Sequence, residues 1–246
     1  MSFDTLPPPP PLSQLCEAGQ VALFLDFDGT LIEIASGPDA IDVPDNLPDR
    51  FDILAARLEG RLALVSGRGL DNIHRHIGAL TIARAGSHGA DRVLADGSVL
   101  GEHAQPLMPQ VIEALADLAE EYGALLERKA HGAALHYRSN PESGEAIGVA
   151  AAAIASENGL VVKRGKCVAE LVRPGADKGG AVAAFMKVAP FAGSTPIFIG
   201  DDVTDEDGFI AAEKLGGFGI AVGERASQNA RYHLPLVKDV HAWLNL

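Results

Sequence analysis

The chain opens its regular pattern with a short apolar run, Val21 to Leu25, that ends at an aspartate. Runs this short and this apolar are typical of buried parallel strands. Residues 45–58 then carry Leu47, Phe51 and Leu54 at helical spacing, and a second apolar run follows at Leu62 to Val65. The order strand, helix, strand predicts a β-α-β unit.

The same kind of pattern continues in two stretches of the chain. The first predicts a helix with Leu70, Ile73 and Ile77, a strand Thr81 to Ala85, and a hairpin turn at Asp96-Gly97 between residues 92–95 and 99–101. The second predicts a helix from Gly179, a strand Ile197 to Ile199, a helix from Asp205 and a strand Phe218 to Val222. Together they predict a mostly parallel α/β core with a small hairpin.

Between about Pro106 and Gly175 the pattern changes. The predicted elements there are a helix with Val111, Leu115, Leu118 and Tyr122, strands Ala124 to Glu127 and Ala133 to Tyr137, a helix Glu142 to Ser156, and strands Leu160 to Lys163 and Cys167 to Val172 around an Arg164-Gly165 turn. Two helices with four mainly antiparallel strands indicate an inserted α+β module. We therefore expect a core of residues 21–105 and 176–246, an inserted domain of residues 106–175, and a flexible leader of residues 1–20 that contains the prolines Pro7 to Pro11.

Composition and charge narrow the classes of function. The 246 residues are 47% hydrophobic and 22% charged, which suits a folded protein with a full core. The net charge of −13 disfavours nucleic acid as a partner. No signal peptide, membrane span or zinc spacing is visible, and Cys16 and Cys167 indicate no disulfide framework, so we expect a cytoplasmic protein without a membrane partner.

Two carboxylates end the first predicted strand, in the segment Leu25-Asp26-Phe27-Asp28-Gly29-Thr30-Leu31. Open α/β sheets bind ligands at the carboxyl ends of their strands. An ionised Asp26 beside a metal ion can attack phosphorus, and Asp28 can protonate a leaving oxygen and later deprotonate water. Taken alone, the segment also fits a calcium loop or an ordinary turn.

Two further segments add phosphate-binding chemistry. The hydroxyl of Ser66 and the backbone N–H groups of Ser66-Gly67-Arg68, after the second strand, can hold phosphoryl oxygens. Lys178, at a predicted helix start, can place its ammonium group against the phosphoryl group and Asp26. Each segment by itself also fits a surface loop or a solvated lysine.

The strongest single segment is Gly200-Asp201-Asp202-Val203-Thr204-Asp205-Glu206, which follows an apolar strand. Its crowded carboxylates favour a bound cation over a solvated acidic helix start. Asp201, nearest the strand, is the predicted metal ligand. Asp202 and Asp205 are expected to hydrogen-bond metal waters or to orient Lys178, and Glu206 to favour a helix N-terminus.

Taken together, these four ordered segments resemble the motifs of the haloacid dehalogenase superfamily. The resemblance implies a Rossmann-like core, a phosphorylated Asp26, and Mg²⁺ held by Asp26, the backbone carbonyl of Asp28, and Asp201. It also implies that the insertion is a cap domain that determines substrate specificity.

The insertion carries more particular motifs. They are Glu127-Arg128-Lys129, Ala134-Leu135-His136-Tyr137-Arg138 and Gly165-Lys166-Cys167-Val168-Ala169-Glu170, and the core adds Gly86-Ser87-His88-Gly89. These segments resemble the trehalose-6-phosphate phosphatase family from Val21 to the C-terminus, so the implied substrate is the small molecule trehalose 6-phosphate. Lys166 and Glu170 are the implied glucose contacts, and further substrate contacts are expected from Gly67, Arg68, Lys129, His136 and Arg138.

Three alternatives remain open at the level of the sequence. One is a phosphatase for another sugar phosphate, such as sucrose phosphate or a mannosyl-glycerate phosphate. A phosphomutase would share the four core segments. A sugar-phosphate sensor without catalysis would keep the pocket, although the intact Asp26, Asp28, Lys178 and Asp201 argue against it. The sequence leaves the oligomeric state undetermined.

Overall fold

A computed structural model describes residues 6–34, 41–44, 46–101, 105–129, 131–165 and 167–246. The chain divides into two compact units, Met1–His103 with Asp177–Leu246, and Ala104–Ala176. The boundaries predicted at 105/106 and 175/176 lie at most two residues away from these.

The elements of the described residues are as follows. The strands are β1 Val21–Leu25, β2 Leu62–Val65, β3 Ala83–Gly86, β4 Asp91–Val93, β5 Leu125–Arg128, β6 Gly132–His136, β7 Val161–Gly165, β8 Val168–Val172, β9 Thr195–Gly200, β10 Phe218–Val222 and β11 Tyr232–Leu234. The α-helices are α1 Leu12–Ala18, α2 Leu47–Arg57, α3 Leu70–Ile77, α4 Pro109–Tyr122, α5 Gly144–Glu157, α6 Lys178–Phe185, α7 Glu206–Lys214 and α8 Val237–Leu244. Short 3₁₀ turns lie at Ser87–Gly89, Pro141–Ser143 and Val203–Asp205.

The first unit is built on one sheet in the order β11-β10-β9-β1-β2-β3-β4. Every neighbouring pair is parallel except β3 with β4. This mixed α/β architecture with a mostly parallel sheet confirms the fold class predicted from the sequence.

Strand β1 lies at the centre of that sheet and is buried along its whole length. Leu23 and Leu25 belong to the apolar cluster that contains residues of α2, α3 and α8, whereas Ala22 and Phe24 belong to the cluster that contains residues of α6 and α7. Successive strand side chains point to opposite faces, so a strand covered on both faces is apolar at every position. This is why β1 reads as an unbroken apolar run.

The register of the central strands brings their carboxyl ends to one edge of the sheet. Leu25 of β1 is paired with Ile199 of β9 and with Leu64 of β2. Asp26 therefore lies beside the first residues after β9 and β2 on neighbouring strands, and three of the predicted catalytic segments meet there.

Residues 6–20 differ from the predicted flexible leader. They contain α1, and its Leu12 is 3% exposed in the apolar core. The backbone N–H of His233 donates to the Pro7 carbonyl over 3.0 Å, and Trp243 Nε1 donates to the Pro10 carbonyl over 2.8 Å. Proline lacks an N–H group but keeps its carbonyl as an acceptor, so an extended proline run can bind neighbouring donors. The expectation of flexibility is wrong for these residues, and residues 1–5 lie outside the described part.

The second unit contains a fully antiparallel sheet in the order β5-β6-β8-β7. Ala133 and Leu135 of β6, with Leu171 of β8, form an apolar cluster with residues of α4 and α5. The alternate residues of these strands point to the opposite face, which we call the polar face and define by Glu127, Lys129, His136 and Glu170.

Two local expectations in the second unit are wrong. Gly165 pairs with Val168, so β7 continues through the predicted turn at Arg164-Gly165. Strand β6 ends at His136, and the exposed Arg138 lies in the turn closed by the Asn140 N–H donating to the Tyr137 carbonyl. The sequence also leads us to expect Arg138 on the same strand face as His136, and this second expectation is wrong because Arg138 lies beyond the strand.

Among the residues that the structure describes, no helix is both long enough and apolar enough to cross a bilayer.

Candidate active site

A buried lysine joins two carboxylates at the centre of the sheet edge. Lys178 Nζ lies 2.6 Å from Asp26 Oδ1 and 2.6 Å from Asp205 Oδ1. All three side chains are at most 5% exposed. Lys178 is the first residue of α6, where Asp177 Oδ1 accepts the Gly180 N–H over 2.7 Å and caps the helix start. The cap fixes the backbone at the point where the lysine leaves it.

Three carboxylates form a compact oxygen cluster. Asp26, Asp201 and Asp205 each offer an oxygen within 4.8 Å of the others. Hard cations such as Mg²⁺ prefer carboxylate oxygens, so this donor set fits the cation that the resemblance implies. The two oxygens of Asp205 already accept from Lys178 and from the Asp202 N–H, the latter over 2.8 Å. The remaining oxygens of Asp26 and Asp201 are therefore the fitting ligands, and Asp205 is a partner of Lys178.

The pKa values of these three carboxylates are raised, because the carboxylates are buried and too little positive charge lies near them. Burial raises the pKa of Asp26 to about 6 and, with the Asp205 charge next in size, raises the pKa of Asp201 to about 6. Burial, then the charge of Asp26, raises the pKa of Asp205 to about 7. Burial acts to lower the pKa of Lys178, but the charges of Asp26 and Asp205 outweigh it and hold that pKa above its usual value. One ammonium faces three carboxylates, so a further cation would be stabilised here.

A glycine makes the approach of Asp201 possible. Gly29 has φ +77°, and a Cβ atom at this position would lie 2.2 Å from Asp201 Oδ2. The next residue, Thr30, places Oγ1 3.4 Å from both Asp26 Oδ2 and Asp201 Oδ1. Thr30 is a site neighbour to which the sequence reasoning gave no role, although it stands in the quoted motif.

Asp28 is held by an arginine. Arg68 Nε and Nη2 each lie 2.7 Å from one carboxylate oxygen of Asp28, and Arg68 Nη1 lies 2.8 Å from Asn72 Oδ1. Two parallel bonds of this kind fix the plane of a carboxylate as well as its position. Arg68, predicted as a substrate contact, thus binds the predicted acid and base. Asn72 was not identified from the sequence.

The segment after β2 packs against the turn after β3. Ser66 is fully buried, and its Oγ accepts the Arg68 N–H over 3.1 Å. The His88 N–H donates to the Ser66 carbonyl, and a Cβ atom on Gly67 would lie 2.6 Å from the His88 ring. The left-handed φ of +57° at His88 belongs to this close packing of two loops.

Several of the side chains described above line a cavity of about 600 Å³ in the first unit. Its lining includes Asp26, Asp28, Arg68, Lys178 and Asp201. The cavity therefore collects a nucleophile candidate, an acid and base candidate, and two fixed positive charges.

The acidic residues that follow β9 make different contacts. Thr204 Oγ1 lies 3.4 Å from Asp202 Oδ2, and the Asp205 N–H donates to the Asp202 carbonyl over 3.0 Å. Glu206 begins α7, which agrees with its predicted place at a helix N-terminus, and it also lies 2.6 Å from Arg225 Nη2. Arg225 was missed by the sequence reasoning, although its place directly after the carboxyl end of a core strand, in Gly-Glu-Arg, was a signal that could have found it.

In the second unit, the polar face carries two ion pairs. Lys129 Nζ lies 2.8 Å from Glu170 Oε1, and His136 Nε2 lies 2.8 Å from Glu127 Oε2. The register pairs Ala134 with both Glu127 and Glu170, so a small residue separates the two acids. The structure therefore gathers Lys129, His136 and Glu170 on one face, whereas Lys166 lies outside the described residues.

The mostly parallel sheet, with carboxylates after its central strands and a buried lysine beside them, has the fold of solved phosphatases of the haloacid dehalogenase class. A solved phosphatase of the haloalkanoate (HAD) enzyme superfamily from Bacteroides thetaiotaomicron aligns with TM-score 0.66 at 17% identity, over 92% of this chain and 93% of that one. The trehalose-6-phosphate phosphatase of Aspergillus fumigatus aligns with TM-score 0.76 at 24% identity, over 97% of each chain. At these identities the two structures show a shared fold.

The family follows from the sequence comparisons. The family model described as trehalose-phosphatase matches residues 24–237. The trehalose-6-phosphate phosphatase of Escherichia coli K12 is 38% identical over 240 residues, covering 96% of this chain and 90% of the relative. The chain belongs to the trehalose-phosphatase family.

Proposed function

We propose that this protein hydrolyses trehalose 6-phosphate to trehalose and inorganic phosphate. The observation that best supports this proposal is the buried Asp26, which faces Lys178 and shares an oxygen cluster with Asp201. The relatives are named for this activity, and the charges that the cavity collects suit a phosphate monoester.

In the first step a carboxylate oxygen of Asp26 attacks phosphorus, and the bond from phosphorus to the sugar oxygen breaks. Lys178 holds Asp26 ionised and oriented and offers its charge to the phosphoryl oxygens. Asp26, Asp201 and, as the resemblance implies, the Asp28 carbonyl would hold magnesium, which would supply positive charge against the phosphoryl group. Ser66, which follows β2 at the same edge of the sheet, is the proposed hydroxyl donor to a phosphoryl oxygen.

Asp28 then moves two protons in sequence. Its protonated carboxyl gives a proton to the departing sugar oxygen, which leaves as trehalose. The resulting carboxylate takes a proton from water, the water oxygen attacks phosphorus, and the bond to Asp26 breaks to release phosphate. Arg68 binds both oxygens of the ionised Asp28 in the structure, so the oxygen that carries the proton must leave Arg68 while the other oxygen keeps its bond and orients the group.

The polar face of the second unit is the proposed sugar-binding surface. A disaccharide presents many hydroxyl groups, and paired Lys129 and Glu170 can donate to and accept from neighbouring hydroxyls. His136 and Glu127 form a second such pair. Lys166 belongs to this proposal by family resemblance.

The test is phosphate release from trehalose 6-phosphate, glucose 6-phosphate and sucrose phosphate, measured side by side with and without Mg²⁺. Asp26→Asn keeps the size of the side chain and removes the nucleophile, so it provides the blank. We expect Mg²⁺-dependent release with a strong preference for trehalose 6-phosphate, and none above background from the blank.

Other outcomes would point to the alternatives. Equal release from all three substrates would leave the phosphatase chemistry standing and reject the disaccharide. Binding of trehalose 6-phosphate without phosphate release would favour a sensor. Transfer of phosphate to a second sugar position would favour a mutase.

A further inference from the structure

Arg225 connects the loops that follow two neighbouring strands, β9 and β10. Strand β10 ends at Val222, next to β9 in the sheet, and Ala221 pairs with Gly200. From the loop after β10, Arg225 reaches the backbone directly after β9. Its Nε donates to the Asp201 carbonyl over 2.9 Å, and its Nη2 donates to the Asp202 carbonyl over 3.0 Å.

Glu206 holds the far end of the same guanidinium. Arg225 Nη2 lies 2.6 Å from Glu206 Oε1, and Arg225 Nη1 donates to the Ala226 carbonyl over 3.1 Å. Glu206 Oε2 accepts from the Asn229 N–H over 3.1 Å and from Asn229 Nδ2 over 2.8 Å. Burial acts to raise the pKa of Glu206, but the hydrogen bonds from Arg225, Asn229 and Ser227 outweigh it and hold that pKa below its usual value. Glu206 therefore remains an anion at neutral pH.

Two of the bonds from Arg225 end on the main-chain carbonyls of Asp201 and Asp202, and this determines what they control. They fix the backbone of the turn from which the Asp201 side chain leaves, and they leave its carboxylate oxygens available. Metal affinity depends on how well outer groups hold the ligands in place. The planar fork of arginine suits four acceptors at fixed angles, whereas the single nitrogen of lysine cannot reproduce it.

We infer that Arg225, held by Glu206 and Asn229, is a positioning residue that fixes Asp201 for magnesium binding. This inference rests on the proposed function, in which Asp201 is a metal ligand. Arg225 itself contacts neither metal nor substrate in this assignment. Its removal should weaken the binding of magnesium while turnover at saturating magnesium stays close to that of the unaltered protein.

The experiment compares Arg225→Gln with Arg231→Gln, which removes the same charge from a half-exposed side chain whose nearest acid, Glu213, is 3.9 Å away. Magnesium affinity is measured by calorimetric titration without substrate. Hydrogen exchange of the amides at residues 202–205 is measured without metal. We expect about 10-fold weaker magnesium binding in Arg225→Gln than in the control, in the range for outer-shell partners, and faster exchange in that segment.

Arg225→Lys and Glu206→Gln provide a second route if Arg225→Gln does not fold, and both should show the same two changes to a smaller extent. Exchange that matches the control would overturn the positioning role, whatever the metal data. Faster exchange with unchanged affinity would overturn its link to magnesium, as would an equal loss of affinity in Arg231→Gln. Failure of the proposed function differs from all of these, because the unaltered protein would then release no phosphate from trehalose 6-phosphate.

Discussion

At the residue scale, Lys178 is the charge on which the buried site depends. Removing it as Lys178→Met leaves Asp26 and Asp205 buried without their shared cation. Breaking a buried ion pair in this way costs about 3–5 kcal/mol of unfolding free energy. Activity should also fall to background, because Lys178 no longer holds Asp26 ionised and oriented.

The loss should depend on pH in a defined direction. The pKa of Asp205 is already raised to about 7 and that of Asp26 to about 6, mainly by burial, and loss of the cation raises both further. The folded variant then binds more protons than the unfolded chain, so its stability falls as the pH rises from about 4 through the folded pKa values. Urea unfolding of metal-free Lys178→Met should show a smaller loss, relative to the unaltered protein, at pH 5 than at pH 8. An equal loss at both values would contradict the assignment.

Gly29 is needed for space as well as for its backbone angle, and the two requirements can be separated. Gly29 and Gly97 have φ of +77° and +83°, but a Cβ atom would meet Asp201 only at Gly29, because nothing lies within 4 Å at Gly97. Both Gly29→Ala and Gly97→Ala should lose about 1–2 kcal/mol of unfolding free energy from the left-handed backbone. Phosphate release and magnesium affinity should fall only in Gly29→Ala. Equal activity in the two variants would show that Asp201 moves aside without consequence.

The sequence predicts that Lys178 lies against Asp26 and that Asp205 orients Lys178, whereas it does not predict the contacts that Arg68 and Arg225 make. Asp26, Lys178 and Asp201 follow buried strands or open a helix, and such positions are visible in a pattern of apolar runs. The bond from Arg68 to Asp28 joins residues 40 positions apart, and that from Arg225 to Asp201 joins residues 24 apart. Neither spacing belongs to a periodicity, so only the folded geometry reveals them.

At the element scale, α1 is the main departure from expectation. Leu12→Ala should cost about 2–5 kcal/mol of unfolding free energy, because the side chain is buried in the apolar cluster of the first unit. Ser13→Ala, at the exposed neighbouring position, should change stability little. Thermal or urea unfolding followed by circular dichroism measures both. If the two variants were equally stable, the helix would contribute nothing to the core.

The elements predicted correctly are those with a clear pattern of apolar residues along the chain. Strands β1 and β2 are buried on both faces and read as apolar runs with the bounds observed. Strand β11 has three residues, Tyr232–Leu234, of which only Leu234 is buried, and this is too short for any alternation to be seen. The turn after β7 was placed too early because a glycine ends that strand instead of starting the turn.

At the scale of the whole molecule, chemistry and sugar recognition are assigned to different units. Glu170→Gln keeps the shape of the side chain and weakens its ion pair with Lys129. The Lys129 side chain is partly exposed. We expect a higher KM for trehalose 6-phosphate, with unchanged stability and unchanged hydrolysis of a small aryl phosphate. Glu142→Gln, an exposed acid of the same unit outside the polar face, is the matched control. A proportional loss on both substrates would reject the polar face as a sugar-binding surface.

The place where the inserted unit ends has an evolutionary consequence. The chain returns to the first unit at Asp177, which caps the helix that begins with Lys178, and the other site carboxylates belong to that unit too. A lineage can therefore exchange or remodel residues 104–176 without altering the segments that supply the nucleophile and its lysine. The same exchange can be made in the laboratory. An insertion from a relative with another sugar preference would replace residues 104–176 and be joined at these two boundaries.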